Sequence, residues 1–234
     1  MLRALFLRSP MRLSLMIALL LTGCTAIGAS SVSGKARHSV EVDVIGDSLS
    51  TGINTPGDPW TNNAEELFAA DGQQVQFINA AENGAGYVAR GQLGDTFLDE
   101  VDNVVSPTSE VVLVFGSDND LGRSGLASAI TQTLERIRTT APHAELIVVG
   151  PPAPPAQQPQ QLTVIRDALQ TAARQSHAQF VDPLALKWFQ DATAAYVSFD
   201  NEHPNTDGEQ FLATQMVDIL RPSVDRLATA ASRA

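Results

Sequence analysis

Val111-Val-Leu-Val-Phe115 runs without a polar side chain and is followed at once by Gly116-Ser117-Asp118-Asn119-Asp120. A strand with one wet face alternates apolar and polar residues. An unbroken run reads as a strand covered on both faces. That reading predicts a parallel sheet, because parallel neighbours need crossover connections and the crossover helices supply both covering layers. The sequence on either side agrees. Downstream, Leu126, Ile130, Leu134 and Ile137 share one helical face, Leu146-Ile-Val-Val149 is a further apolar strand, Leu162, Ile165, Leu169 and Ala172 make a second helical stripe, and Phe180-Val181 is a short fifth strand. Upstream, Val40, Val42, Val44 and Ile45 mark strand one, Ala64 to Ala70 a helical stretch closed by Gly72, and Val75 to Ile78 strand two. Phe211, Leu212, Gln215, Met216, Ile219 and Leu220 mark the last helix, with Thr206 and Glu209 as a capping box at its start and Pro222 as its end or kink. The fold expected is α/β: a three-layer α/β/α sandwich on a central, mainly parallel five-stranded sheet. Glu41 and Asp43 alternate with the valines of strand one and are expected near its solvent end.

The chain has 234 residues, 44% of them hydrophobic, which is enough for one sizeable core in one domain, residues 40–234. The first 23 residues do not belong to that domain. Arg3, Arg8 and Arg12 precede the apolar run Leu13 to Leu21, and Leu21-Thr22-Gly23-Cys24 follows. A basic segment, a short apolar run and small residues read as an export signal, and the run is short for a membrane span. Leu-Thr-Gly-Cys resembles the bacterial lipobox, which implies that Cys24 is lipidated and becomes the first residue after cleavage. Cys24 is the only cysteine, so an intramolecular disulfide and a multi-cysteine metal site are excluded. Residues 24–39 are small, polar and Gly/Ser-rich, and read as a flexible tether with a reach of about 20 Å. The expected location is the extracytoplasmic face of the cell envelope, held there by lipid. Charge does not hold it: residues 1–23 carry three arginines and no acid, so their removal takes the net charge from −11 to −14. Such a surface repels nucleic acid and anionic membrane.

In an open α/β sheet, ligands bind beyond the carboxyl ends of the strands. Ser48 follows strand one within Gly46-Asp47-Ser48-Leu49-Ser50. Asn79 to Gly86 follows strand two, Gly116 to Asp120 strand three, and a Pro-rich segment from Pro151 to Pro159 strand four. Asp200-Asn201-Glu202-His203-Pro204 stands just before the last helix and brings a histidine to the same edge. A serine hydroxyl is a poor nucleophile at neutral pH. It needs a base, and the base needs a third group to fix its tautomer.

These motifs, in this order, resemble the SGNH (GDSL) hydrolase family: Gly-Asp-Ser-Leu after strand one, a glycine after strand two, a Gly/Asn loop after strand three and Asp-x-x-His-Pro some 150 residues downstream. The likeness spans residues 40–230. It implies a flavodoxin-like sheet and an esterase in which Ser48 is the nucleophile, His203 the general base and Asp200 the group that orients it. It also implies an oxyanion hole made by the Ser48 and Gly84 backbone N–H groups and an asparagine side chain, with no metal and no cofactor. Gly84 and Gly86 both fit the second position, and Gly84 is preferred for its distance from Asn79. The third block is one residue longer than the family's Gly-x-Asn-Asp. If the asparagine keeps its role, the donor is Asn119. If the spacing from Gly116 rules, Asp118 takes the slot, where a carboxylate would repel an oxyanion. Asn119 is therefore preferred. The expected substrates are carboxylic esters of envelope glycans or lipids, with short acyl groups before long ones because the loops beyond the strands show no long apolar lid.

Other readings of the same residues stay open. Ser48 could be only a helix N-cap. Asp207 is a rival acid four residues beyond His203, better explained by capping. His143 and His177 adjoin helix ends, where histidine is commonly structural. Trp60, Tyr87, Trp188 and Tyr196 could wall a pocket, though large aromatics are more often core. The Pro151 to Gln161 segment could be a lid or a stiff exposed loop. The same triad could transfer an acyl group to a sugar hydroxyl, and the fold could also serve a non-catalytic envelope lipoprotein that binds glycan or a partner.

Overall fold

The computed structural model describes residues 38–233. The export signal, the lipobox with Cys24 and nearly all of the expected tether lie outside the described residues. Five strands form one sheet: β1 (Ser39–Gly46), β2 (Gln74–Asn79), β3 (Val111–Phe115), β4 (Glu145–Val149) and β5 (Gln179–Val181). Their order is β2-β1-β3-β4-β5 and every pairing is parallel. β1 begins one residue earlier than expected, at Ser39.

The period of two decides which layer each side chain enters. Val40, Val42 and Val44 of β1, Val111, Leu113 and Phe115 of β3, and Ile147 and Val149 of β4 pack on one face. There they meet Trp60, Ala64 and Phe68 of α2 (Trp60–Ala70) and Leu212, Met216, Leu220 and Val224 of α6 (Thr206–Arg233). The alternate residues Ile45, Val112, Val114, Leu146 and Val148 enter the other face. That face is covered by α3 (Phe97–Val104), α4 (Leu126–Thr140) and α5 (Pro159–Gln175). Each fully buried large apolar side chain contributes about 1.5–3 kcal/mol, so β3, buried at all five positions, anchors both layers. Among the described residues no helix is long and apolar enough to cross a membrane.

Four details depart from the sequence expectation. Helix α3 was not expected. Thr96 caps it, its side chain and that of Asp99 exchanging hydrogen bonds with each other's backbone N–H, and it buries Phe97 and Val101. The cap of α6 is Asn205, whose Oδ1 accepts from the Gly208 N–H at 3.0 Å, in place of the Thr206–Glu209 box. Glu209 points instead into the fold. Pro222 does not end α6, which continues to Arg233. The proline is exposed, so the carbonyl it leaves unpaired faces water, while Val224 beyond it is buried and keeps the helix on the sheet. Asp43 is buried in mid-strand, not at a wet end. It accepts a hydrogen bond from the Ser109 hydroxyl, and burial, partly offset by that bond, pushes its carboxyl up to about 6.

Candidate active site

The sheet brings the loops to one level: Gly46, the last residue of β1, pairs with Phe115, the last of β3. Beyond Gly46 the chain turns into the single-turn helix α1 (Ser48–Thr51). Asp47 is its N-cap, with Oδ1 accepting from the Leu49 N–H at 2.9 Å, so capping is the work of Asp47 and leaves Ser48 free for other chemistry. Ser48 is the first residue of the helix, and its N–H has no acceptor among the described residues.

His203 reaches the same place from the opposite end of the chain. Its Nε2 lies 2.8 Å from Ser48 Oγ and its Nδ1 2.8 Å from Asp200 Oδ2. The local turn fixes this pair: Asp200 Oδ1 accepts from the backbone N–H groups of Glu202 and His203, each at 3.0 Å. An antiparallel bridge between Val197 and Pro204 closes the turn. Burial pushes the Asp200 carboxyl up, but the two backbone bonds, the His203 ring and the Asn54 side chain outweigh it and hold it well below the usual carboxylate range. An ionised carboxylate only accepts, so Nδ1 carries the proton and Nε2 presents its lone pair to the Ser48 hydroxyl. Asp207, the rival acid, is exposed on α6.

The loop after β2 is tied to α1 by Asn79 Nδ2 to the Ser50 carbonyl at 2.7 Å and by the Thr51 hydroxyl to Asn83 Oδ1 at 2.5 Å. Gly84 follows, in the left-handed region at φ 79°. Its N–H has no acceptor among the described residues, whereas the Gly86 N–H donates to the Ala89 carbonyl at 3.0 Å. Gly86 serves a steric need: a Cβ there would lie 2.7 and 2.8 Å from the Asp120 oxygens and 2.8 Å from Ser117 Oγ. Asp120 is buried and accepts from three successive amides, Tyr87 at 2.7 Å and Val88 and Ala89 at 2.9 Å. It therefore locks the shape of the glycine loop.

The third block splits its neighbours between two directions. Asn119 Nδ2 donates to the Ala85 carbonyl at 2.9 Å, using one of its two amide hydrogens beside the Gly84 loop. Asp118 instead accepts from Gln157 Nε2 at 2.6 Å. Burial and the nearby Glu202 carboxylate push the Asp118 carboxyl up. Gln157 belongs to the Pro-rich segment after β4, which is also held by the Ala156 N–H to the Asn201 carbonyl at 2.8 Å. That segment is strapped across the edge, with Pro151 to Pro154 buried.

Behind the serine lie further carboxyls that sequence reasoning did not find. Glu100 of α3 accepts from the Gly46 N–H at 2.8 Å, and burial, above the other influences on it, pushes its carboxyl up to about 9. Burial, then Asp118, pushes Asp47 well above its usual range. Glu100 is therefore predominantly protonated at neutral pH and Asp47 is shifted in the same direction, which lowers the negative charge behind the serine. Asn54, between α1 and α2, is the other residue missed: its Nδ2 donates to Asp200 Oδ2 at 2.7 Å. Of the aromatics, Trp60, Trp188 and Tyr87 are core residues, and Tyr196 packs against the core from its rim. His143 and His177 precede the amino ends of β4 and β5, at the opposite edge of the parallel sheet from these loops. Among the described residues no group of three or more His, Cys, Asp and Glu side chains is arranged to hold a metal ion.

A hydroxyl, an imidazole and a carboxylate thus stand in line at the carboxyl edge of a parallel α/β/α fold. The chain belongs to the GDSL-like lipase/acylhydrolase family, whose pattern it matches over residues 44–211, and is a carboxylic ester hydrolase. It is 37% identical over 187 residues to GDSL lipase Rv0518 of Mycobacterium tuberculosis, covering 76% of this chain and 80% of that one. Its fold is shared with the lipase/acylhydrolase from Enterococcus faecalis (TM-score 0.65, 16% identity, 78% of this chain and 96% of that one). It is shared equally with the esterase EstA from Pseudoalteromonas, solved with monoethylphosphonate (TM-score 0.65, 16% identity, 79% of this chain and 98% of that one).

Proposed function

We propose that this protein is an exported, lipid-anchored serine esterase in which Ser48, His203 and Asp200 form the catalytic triad. The observation that carries the reading is the continuous chain from Ser48 Oγ through both ring nitrogens of His203 to Asp200 Oδ2, each link 2.8 Å. His203 Nε2 takes the Ser48 proton as Oγ attacks the ester carbonyl. The carbonyl oxygen becomes an oxyanion received by the Ser48 and Gly84 N–H groups and by the remaining amide hydrogen of Asn119. The protonated ring then gives its proton to the departing alcohol, leaving an acyl-Ser48. His203 Nε2 then takes a proton from a water molecule as its oxygen attacks the acyl carbon, the bond to Ser48 Oγ breaks to release the acid, and the ring returns that proton to Oγ. Preorganised donors of this kind are each worth about 3–4 kcal/mol in the transition state.

The substrates in this reading are carboxylic esters of envelope glycans or lipids, with short acyl groups preferred. Support for the short-chain preference is the strapped Pro-rich segment, which is bonded to Asp118 and Asn201 and so is not a free apolar lid. The anchor is lipidated Cys24, and alkyne-palmitate labelling of cells should be lost in Cys24→Ala. The decisive experiment combines a fluorophosphonate probe with a series of p-nitrophenyl esters from acetate to palmitate. A single adduct on Ser48 with acetate turned over faster than palmitate is the expected result. Turnover without any Ser48 adduct would overturn the triad.

A further inference from the structure

Asp200 Oδ1 and Oδ2 together receive four donors. Three come from its own turn: the Glu202 N–H, the His203 N–H and the His203 ring. The fourth, Asn54 Nδ2 at 2.7 Å, comes from 146 residues away. Asn54 stands six positions after Ser48, in the loop that leaves α1. The nucleophile's own segment therefore grips the acid that orients the base.

The loop is built to keep Asn54 in place. The Thr55 N–H donates to the Gly52 carbonyl and the Asp58 N–H to the Thr55 carbonyl, each at 2.9 Å. The Thr55 hydroxyl donates to Glu209 Oε1 at 3.0 Å, and the other Glu209 oxygen accepts from the Trp60 N–H at 2.8 Å. The loop is thus closed on itself behind the C-cap of α1 and pinned to α6. A carboxylate with each oxygen bound by two donors has no freedom to rotate about its Cβ–Cγ bond, so its plane is set relative to the imidazole.

We propose that Asn54 is a positioning residue of this active site, holding the Asp200 carboxylate against His203 and fixing the separation between the helix of Ser48 and the ring of His203. The proposal rests on the triad reading above and adds a fourth member to it. The charged groups that bear on the ring are Asp200 from its own turn and Asp118 from the loop after β3, which in turn faces Glu202.

Two variants test it. Asn54→Ala removes the donor, and kcat should fall about tenfold to a hundredfold, the effect of one charge-assisted hydrogen bond, with KM within about twofold. Asn54→Asp has the same shape but sets a second carboxylate beside Asp200. The acid limb of its kcat/KM profile should move up by about one pH unit, because added negative charge favours the protonated ring. Asn54 is half-exposed, so both variants should fold, and thermal midpoints measured alongside will verify it. Asn54→Ala with kcat within about twofold of the wild type would overturn the proposal. So would an Asn54→Asp protein with reduced but measurable activity and an unmoved acid limb, the signature of a loop residue with a structural role only. Fluorophosphonate labelling of the wild type separates the two levels: no adduct on Ser48 sinks the triad itself, whereas a labelled, active wild type with indifferent Asn54 variants sinks only this inference.

Discussion

Glu209→Gln should flatten the pH dependence of stability. Glu209 is 1% exposed and holds the start of α2 and the loop of Asn54 through Trp60 and Thr55. Burial pushes its carboxyl up from 4.5 to about 7. The protonated form is the one the fold prefers. Its stability is fully present below about 4.5, the value in the unfolded chain, and is lost as pH rises through about 7. A displacement of roughly 2.5 units at about 1.36 kcal/mol each corresponds to about 3 kcal/mol across that window. Glutamine mimics the protonated acid: its Oε1 can accept from the Trp60 N–H and its Nε2 can donate to the Thr55 hydroxyl. The assay is urea unfolding of both proteins at pH 5, 6, 7 and 8. The wild type should lose about 3 kcal/mol relative to Glu209→Gln between pH 5 and 8. Asp43 and Glu100, also raised, titrate equally in both proteins and cancel in the difference. Parallel stability curves for the two proteins would refute the reasoning.

The remaining expectations concern the site. Ser48→Ala and His203→Ala should each lower kcat by about 10⁴-fold or more, measured on p-nitrophenyl acetate, with melting temperatures little changed. Asn119→Ala should lose about 10²–10³-fold in kcat at nearly constant KM. Asp118→Ala should cost far less, and the reverse ranking would reassign the third oxyanion donor. Gly86→Ala puts a methyl group 2.7–2.8 Å from Asp120 and Ser117. It should destabilise by about 1–3 kcal/mol and lower the melting temperature by about 2–4 °C per kcal/mol, read by calorimetry.

What could be read without coordinates followed from two periodicities. The unbroken run Val111–Phe115 and the stripe Leu126-Ile130-Leu134-Ile137 each report burial through spacing along the chain alone, and both elements stand where the sequence places them. Helix α3 carries a signal, Thr96 three residues before Asp99 and then Phe97, Val101 and Val104 on one helical face, but eight residues give that stripe only about two turns. Glu209 was legible as a helix-start acid but not as a buried one. Asp43 was misplaced for the same reason: alternation shows that a polar residue shares a face with others, not that Ser109 waits there to receive it.

Ser48, Asp200 and His203 were nameable because each is embedded in a local motif, and the three-residue step from Asp200 to His203 sets their bond within one turn. The partners that hold them were not. Asn54 on Asp200, Asp120 beneath the glycine loop, Glu100 on Gly46 and Gln157 on Asp118 are each contacts between separate segments. The sequence by itself determined the strand and helix order, the parallel sheet and the chemistry-bearing motifs, since periodicity, glycine placement and short-range spacing are local properties of a chain. Only the tertiary structure decided which carboxyls are ionised, which N–H groups are left free and which amide steadies the acid, because desolvation and hydrogen bonding depend on neighbours that folding brings from 33 to 146 residues away.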